Sequence, residues 1–179
     1  MRATTILAAI LLSSTVWSQE RPFQQGPYLG VTMGAFHWDQ GGPLVSLSDT
    51  APIVKLYGGF RFNDRWAVEG SYSNRSHLKD QTIGIASDFQ IIEVRGLAYL
   101  GNLFVGVGYW NADIVETRPF FPSAGFRDND SDFSGILGGE WSFRNRWDLR
   151  LDYELFNVQN RAKDMSTLSF GAHYKFGRH

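Results

Sequence analysis

The chain has 179 residues, a formal net charge of −1 and no cysteine. A near-neutral balance gives no electrostatic footprint for nucleic acid, and without thiols neither disulfides nor cysteine-ligated metal can hold the fold together. Aromatic residues make up 15% and glycine is frequent at 19 residues, a combination that suits crowded, twisted strands with rings at an interface.

Arg2, the apolar run Ile6-Leu7-Ala8-Ala9-Ile10-Leu11-Leu12 and the stretch Ser13-Ser14-Thr15-Val16-Trp17-Ser18 predict a cleaved secretory signal peptide over 1–18, leaving one domain over 19–179. The apolar run is shorter than the roughly 20 residues a helix needs to cross a bilayer, and charged or polar residues interrupt every later one.

From there the dominant signal is alternation with period two. A first strand over 28–38 is placed mainly by its neighbours. Val54, Leu56, Gly58, Phe60 and Phe62 then oppose Lys55, Tyr57, Gly59 and Arg61, and Trp66, Val68, Gly70 and Tyr72 oppose Ala67, Glu69, Ser71 and Ser73. In 89–100, Glu93 and Arg95 share one face while Ile92, Val94 and Ala98 share the other. Leu103, Val105, Val107 and Tyr109 face away from Phe104, Gly106, Gly108 and Trp110. Phe133, Leu137, Trp141 and Phe143 oppose Ser134, Glu140 and Ser142, with Ile136 as an apolar intruder. The cleanest case sets Trp147, Leu149, Leu151, Tyr153 and Leu155 against Asp148, Arg150, Asp152 and Glu154. Last, Leu168, Phe170, Ala172, Tyr174 and Phe176 oppose Ser169, Gly171, His173 and Lys175.

Tight links fall at Asn63-Asp64-Arg65, Gly101-Asn102 and Asn145-Arg146, and longer polar segments at 39–50, 78–87, 115–132 and 157–165. Short turns on one rim and long loops on the other predict an all-β fold. It is an eight-stranded antiparallel up-and-down transmembrane barrel, with periplasmic turns and extracellular loops. Alternation alone fits a soluble sandwich equally well, with the apolar face inward. The aromatic residues Phe60, Phe62, Trp66, Trp141, Phe143, Trp147 and Phe176 share one side and cluster near the short turns, as interfacial girdles do.

Several segments carry a family resemblance: residues 59–72 (GFRFNDRWAVEGSY), Leu137-Gly138-Gly139-Glu140-Trp141-Ser142-Phe143, Leu149-Arg150-Leu151-Asp152-Tyr153 and the ending Ser169-Phe170-Gly171-Ala172-His173-Tyr174-Lys175-Phe176. They resemble the OmpA-type transmembrane domain and its small relatives, the OmpX/Ail and opacity-like barrels, over essentially the whole mature chain. The resemblance implies a bacterial outer-membrane location among lipid and lipopolysaccharide. It also implies an interior ion-pair cluster at the matching positions Glu69, Arg95, Glu140 and Arg150, which either shuts the lumen or rearranges to pass small ions. Insertion by the barrel-assembly machinery through the last strand, ending at Phe176, follows from the same likeness. Here Gly177-Arg178-His179 extend beyond that phenylalanine, and no peptidoglycan-binding domain follows in this sequence.

The inward parity also includes Lys55, Arg61, Glu93, Asp148, Asp152, Glu154 and Lys175. For an enzyme, His37, His77 and His173 are the candidates. Ser76 and His77 are adjacent and so point to opposite faces of a strand, His173 faces inward beside Lys175, and no serine and carboxylate sit at matching spacing to His37. Neither catalysis, nor a cofactor, nor a metal is expected. The segment 115–132 places Phe120, Phe121 and Phe126 in a polar loop, as a contact for a host or cell-surface ligand or as a cover for the barrel mouth. Its acidic run Asp128-Asn129-Asp130-Ser131-Asp132 lacks the glycine and distal glutamate of a calcium loop. The expectation is a monomeric, non-enzymatic surface barrel. Adhesion through 115–132 and a narrow pore are the alternatives.

Overall fold

The computed structural model describes residues 25–41, 46–79, 86–117, 126–157 and 164–176. The expected signal peptide over 1–18 lies outside them, as do Phe120, Phe121 and Gly177-Arg178-His179. The strands are β1 (Gly26–Gly41), β2 (Ser46–Arg61), β3 (Trp66–Lys79), β4 (Ala86–Leu100), β5 (Leu103–Thr117), β6 (Phe126–Arg144), β7 (Trp147–Phe156) and β8 (Asp164–Lys175). Each pairs antiparallel with its neighbour in sequence, and β1 with β8, through rungs such as Leu29↔Tyr174 and Met33↔Phe170, closes the barrel.

Strand β7 decides which face points inward. Asp148, Arg150, Asp152 and Glu154 are 3%, 2%, 1% and 1% exposed, whereas Trp147, Leu149, Tyr153 and Leu155 are 40%, 48%, 43% and 52% exposed. The charges are inside and the apolar side chains outside, which excludes the soluble alternative. The same sense runs round the wall, from Leu29, Val31 and Met33 on β1 to Leu168 and Phe170 on β8. An apolar surface continuous over every strand is sustained only in contact with hydrocarbon.

The short turns form as their residues dictate. Asn63 Oδ1 accepts from the backbone N–H groups of Arg65 and Trp66 at 2.8 Å each, closing the β2–β3 link. Gly101 takes a left-handed φ of 62°, which a residue with a Cβ adopts only at a cost, and so tightens the β4–β5 link. At β6–β7 the register shifts between Ser142 and Arg144, so that Arg144 stands opposite Trp147.

Polar residues mark where the apolar band stops on the other side. The outward positions His37, Thr50, Asn74, Gln90, Asn111, Ser131, Asn157 and Ser166 end the band on successive strands. Several are rungs of one another, His37↔Thr50, Asn74↔Gln90 and Asn111↔Ser131 among them. They are also tied by hydrogen bonds, His37 Nδ1 to Thr50 Oγ1 at 3.3 Å and Tyr109 Oη to Ser131 Oγ at 2.9 Å. Together they form a ring around the barrel opposite the aromatic turns.

Beyond that ring the strands continue, and this corrects the expected loops. Residues 115–132 are not one loop: Val115↔Arg127 and Glu116↔Phe126 are rungs of a β5–β6 ladder, and only 118–125 connect the strands. Phe126 therefore opens β6, and the acidic run Asp128-Asn129-Asp130-Ser131-Asp132 is strand rather than a metal-binding turn. Likewise β1 and β2 reach Gly41 and Ser46, inside the segment expected to be a long connection. Past the membrane neither face of a strand has to be apolar, so the alternation that identifies strands disappears while the ladder persists.

Candidate functional site

Two cross-strand rungs bring together the four residues singled out in the sequence. Glu69 on β3 stands opposite Arg95 on β4, and Glu140 on β6 opposite Arg150 on β7, all buried on the inward face. The two pairs then meet across the lumen. Arg150 Nη1 donates to Glu69 Oε2 at 2.6 Å, and Arg95 Nε donates to Glu69 Oε1 at 2.7 Å. Glu69 is thus held by guanidiniums from opposite walls. Glu140 is more peripheral: it lies 3.6 Å from Arg150 and 3.8 Å from Arg61, and accepts a hydrogen bond from Tyr99 Oη at 3.1 Å.

The network extends past those four. Arg95 Nη1 reaches Glu93 at 3.2 Å and also donates to Glu154, Lys55 Nζ meets Glu154 at 3.1 Å and Asp152 at 3.5 Å, and Arg150 Nε donates to Asp152 at 2.9 Å. Parity places all of these residues inward. Parity alone does not reveal that Glu154 sits beside Arg95, which requires knowing how the two walls face each other. Carboxylates outnumber cations in this layer, and hydroxyls supply the remaining donors. Tyr28 Oη donates to Glu69 at 2.9 Å, Ser134 and Ser71 donate to Glu93, and Ser169 Oγ donates to Asp152 at 2.5 Å. Arg150 Nη2 has no hydrogen-bond partner among the described residues. Its guanidinium instead lies over the rings of Tyr57 and Phe104, 4.6 and 4.4 Å from their centroids, where the π faces attract the cation.

Apolar layers flank the charges. On the side of the polar ring, Phe36, Ile53, Ile91, Trp110, Phe156 and Met165 pack together, with Trp110 edge-on to Phe156 at 5.9 Å. On the side of the short turns, Tyr28, Tyr57, Leu97, Tyr99, Phe104 and Ile136 form a second cluster. Ile136, the intruder on a polar face, belongs here. Gly59 faces the Tyr28 ring so closely that a Cβ would run into it, so the missing side chain gives the ring its place. An eight-stranded barrel is just wide enough for side chains to fill, and these fill it in three tiers.

Nearest the turns, Asp148 accepts from Ser142 at 2.5 Å and Lys175 at 2.9 Å and lies 3.2 Å from His173 Nε2, while His173 Nδ1 meets Tyr57 Oη at 3.2 Å. Glu140, Asp148 and His173 bring ligand-type atoms within 4.8 Å of one another. Three different strands supply them, so no spacing in the sequence announces the group. Lys175 on Asp148 and Arg61 beside Glu140 bring positive charge to the cluster. Among the three histidines weighed for catalysis, His37 faces outward with Thr50, His173 is tied to Asp148 and Tyr57, and the side chain of His77 lies outside the described residues.

The fold recurs in known proteins. The crystal structure of Ail, the attachment invasion locus protein of Yersinia pestis, in complex with the heparin analogue sucrose octasulfate matches with a TM-score of 0.56 at 16% identity, covering 84% of this chain and 99% of that one. Neisserial surface protein A matches with a TM-score of 0.56 at 15% identity, covering 83% and 97%. The N-terminal β-barrel domain of Pseudomonas aeruginosa OprF matches with a TM-score of 0.61 at 10% identity, covering 86% and 100%. At such identities the likeness is one of fold. No curated protein sequence matches. The family model described as outer membrane protein beta-barrel domain matches residues 4–176, almost the whole chain including the charged lumen and the aromatic final strand. The chain therefore belongs to the outer membrane protein β-barrel domain family.

Proposed function

We propose that this protein is a non-enzymatic structural barrel of the bacterial outer membrane, exported by its 1–18 signal peptide, monomeric, and closed to ions along its lumen. The observation that carries this reading is the tiered interior. An ion crossing it would have to part the packed rings around Trp110 and Phe156 and then break buried guanidinium–carboxylate pairs around Glu69. Separating such a pair leaves an uncompensated buried charge, at a cost of about 3–5 kcal/mol. Closure also leaves no strand edge for a second copy to pair with, which favours a monomer. Delivery by the barrel-assembly machinery through β8 fits the Tyr174–Phe176 ring pair at its end, 5.0 Å between centroids, with Phe176 exposed. The acidic outer rim would meet lipopolysaccharide phosphates through divalent cations.

The test is conductance. Full-length protein reconstituted into planar bilayers should show no steady current, and Trp110→Ala should show none either, because the charged tier still blocks the path. A stable conductance step in the unmodified protein, altered by Glu69→Lys, would replace the closed barrel with a narrow pore.

A second reading is favoured by one feature. Strands β5 and β6 run on past the polar ring to Thr117 and Phe126, and the segment joining them would offer a surface to a cell or host ligand. The sequence of that extension carries Asp113, Glu116, Asp128 and Asp130 against Arg118 and Arg127, so the ligand would be neutral or cationic rather than a sulfated polyanion. Deleting 119–124 should abolish attachment to cells under this reading and leave a purely structural barrel unaffected.

A further inference from the structure

The register shift at the β6–β7 turn has a consequence for the short-turn rim. Along β6 the even positions face the lumen, Ser134, Ile136 and Glu140 among them, so an unbroken strand would aim Arg144 into the barrel mouth. The bulge between Ser142 and Arg144 changes this. Arg144 stands directly opposite Trp147, whose indole faces outward, and residues in one rung share a face. The extra residue moves a guanidinium from the mouth to the lipid-facing wall. There it borders an open groove of about 530 Å³ lined by Arg144, Asn145, Arg146, Trp147 and Tyr174.

The lining is complementary to one kind of ligand. Trp147 and Tyr174 form an apolar floor, edge-to-face at 5.2 Å, and the Tyr174 hydroxyl accepts from Arg146 Nη1 at 2.9 Å, fixing that guanidinium at the floor's edge. No lining residue is acidic, and neither Arg144 nor Arg146 has a carboxylate within ion-pair distance among the described residues. The nearest acid on the adjacent strand, Asp148, faces inward and is occupied by Lys175, His173 and Ser142. Two guanidiniums beside amphipathic rings, at the level where the aromatic girdle places the membrane–water boundary, match an anionic phosphodiester joined to acyl chains.

We propose that this groove binds the phosphodiester headgroup of one glycerophospholipid of the leaflet that surrounds the short turns, with Arg144 and Arg146 on the phosphate and Trp147 and Tyr174 against the glycerol and upper chains. The bulge exists, on this account, to deliver Arg144 to that headgroup. The inference is independent of whether the lumen conducts. It rests only on the barrel being inserted with its short turns at a phospholipid leaflet, and the test below does not require that orientation.

The experiment is native mass spectrometry of the full-length protein in an uncharged detergent, titrated with dioleoylphosphatidylglycerol and, separately, with dioleoylglycerol. The expected result is one retained phospholipid, bound about tenfold more weakly by the R144Q/R146Q variant, a difference of about 1.4 kcal/mol, with no effect of the substitutions on dioleoylglycerol. Arg65→Gln, on the β2–β3 turn across the short-turn rim, should leave retention unchanged. Glycerol phosphate, which carries the anion without the chains, should not displace the lipid at equal concentration. The proposal is overturned by equal retention of dioleoylglycerol, by an unchanged R144Q/R146Q variant, by an equal loss in Arg65→Gln, or by displacement with glycerol phosphate. The gel mobility of unboiled samples verifies folding. If the double glutamine variant fails that check, R144K/R146K takes its place, keeping the charge but losing the guanidinium fork, and it should bind several-fold more weakly.

Discussion

The barrel below its polar ring and the barrel above it share one hydrogen-bonded ladder, yet their sequences obey different rules. Below the ring, each strand separates a hydrocarbon solvent from a packed polar lumen, so side chains alternate strictly: Leu149, Tyr153 and Leu155 outside, Arg150, Asp152 and Glu154 inside. Above it, β5 and β6 continue as paired strands through Val115↔Arg127 although the residues there are mostly polar and acidic. Alternation therefore reports a boundary between two environments, and pairing reports the strand. Where only the first is readable in a sequence, strands that leave the membrane look like loops.

The largest effect expected from this contrast lies in the lumen. Arg95→Ala leaves Glu69, Glu93 and Glu154 without a shared cation and should destabilise the barrel by about 3–5 kcal/mol in urea titrations followed by tryptophan fluorescence. Arg61→Ala, nearer the turn rim with 19% of its side chain exposed and a looser 3.8 Å approach to Glu140, should cost less, about 1–2 kcal/mol. Equal costs would mean that the charges are solvated throughout and the lumen is open.

The lumen was also the most legible part of the site. Glu69, Arg95, Glu140 and Arg150 are found by parity and motif because a barrel interior permits only one face to be polar. Parity also marks Lys55, Glu93, Asp152 and Glu154, but their pairing depends on which residues of opposite walls share a level, and that follows from strand stagger rather than from any local pattern. The apolar tiers were harder still: Phe36 and Met165 lie near strand ends where the periodic signal is weak, and Phe156 looks like a strand terminus until Trp110 is seen against it. The bulge at Arg144 leaves no trace in hydrophobicity at all.

Next in size is the outer wall. Val107, 72% exposed on the apolar band, should lose about 2–4 kcal/mol when replaced by arginine, the cost of a cation at the bilayer midplane. Gln90→Arg, on the polar ring, should fall within about 1 kcal/mol of the unmodified protein, since charges near the interface are tolerated. Comparable losses at the two positions would place the membrane boundary elsewhere.

The smallest effect tests the ladder beyond the ring. The chain has no cysteine of its own, so a V115C/R127C pair can be introduced cleanly. Residues directly opposite in an antiparallel pair have Cβ atoms about 4.5–5.5 Å apart, close enough to oxidise with small adjustment. This pair should cross-link under mild oxidation with little change in stability, whereas V115C/N129C should not. Equal cross-linking of the two pairs would return 115–132 to a loop.

The most direct test of the central claim, a barrel with its charges inside and its apolar face in lipid, is fractionation of cells expressing the full chain, followed by denaturing electrophoresis with and without boiling. The account predicts an outer-membrane band that migrates as a folded barrel when unboiled and shifts after boiling. A soluble periplasmic band with the same mobility in both lanes would contradict it.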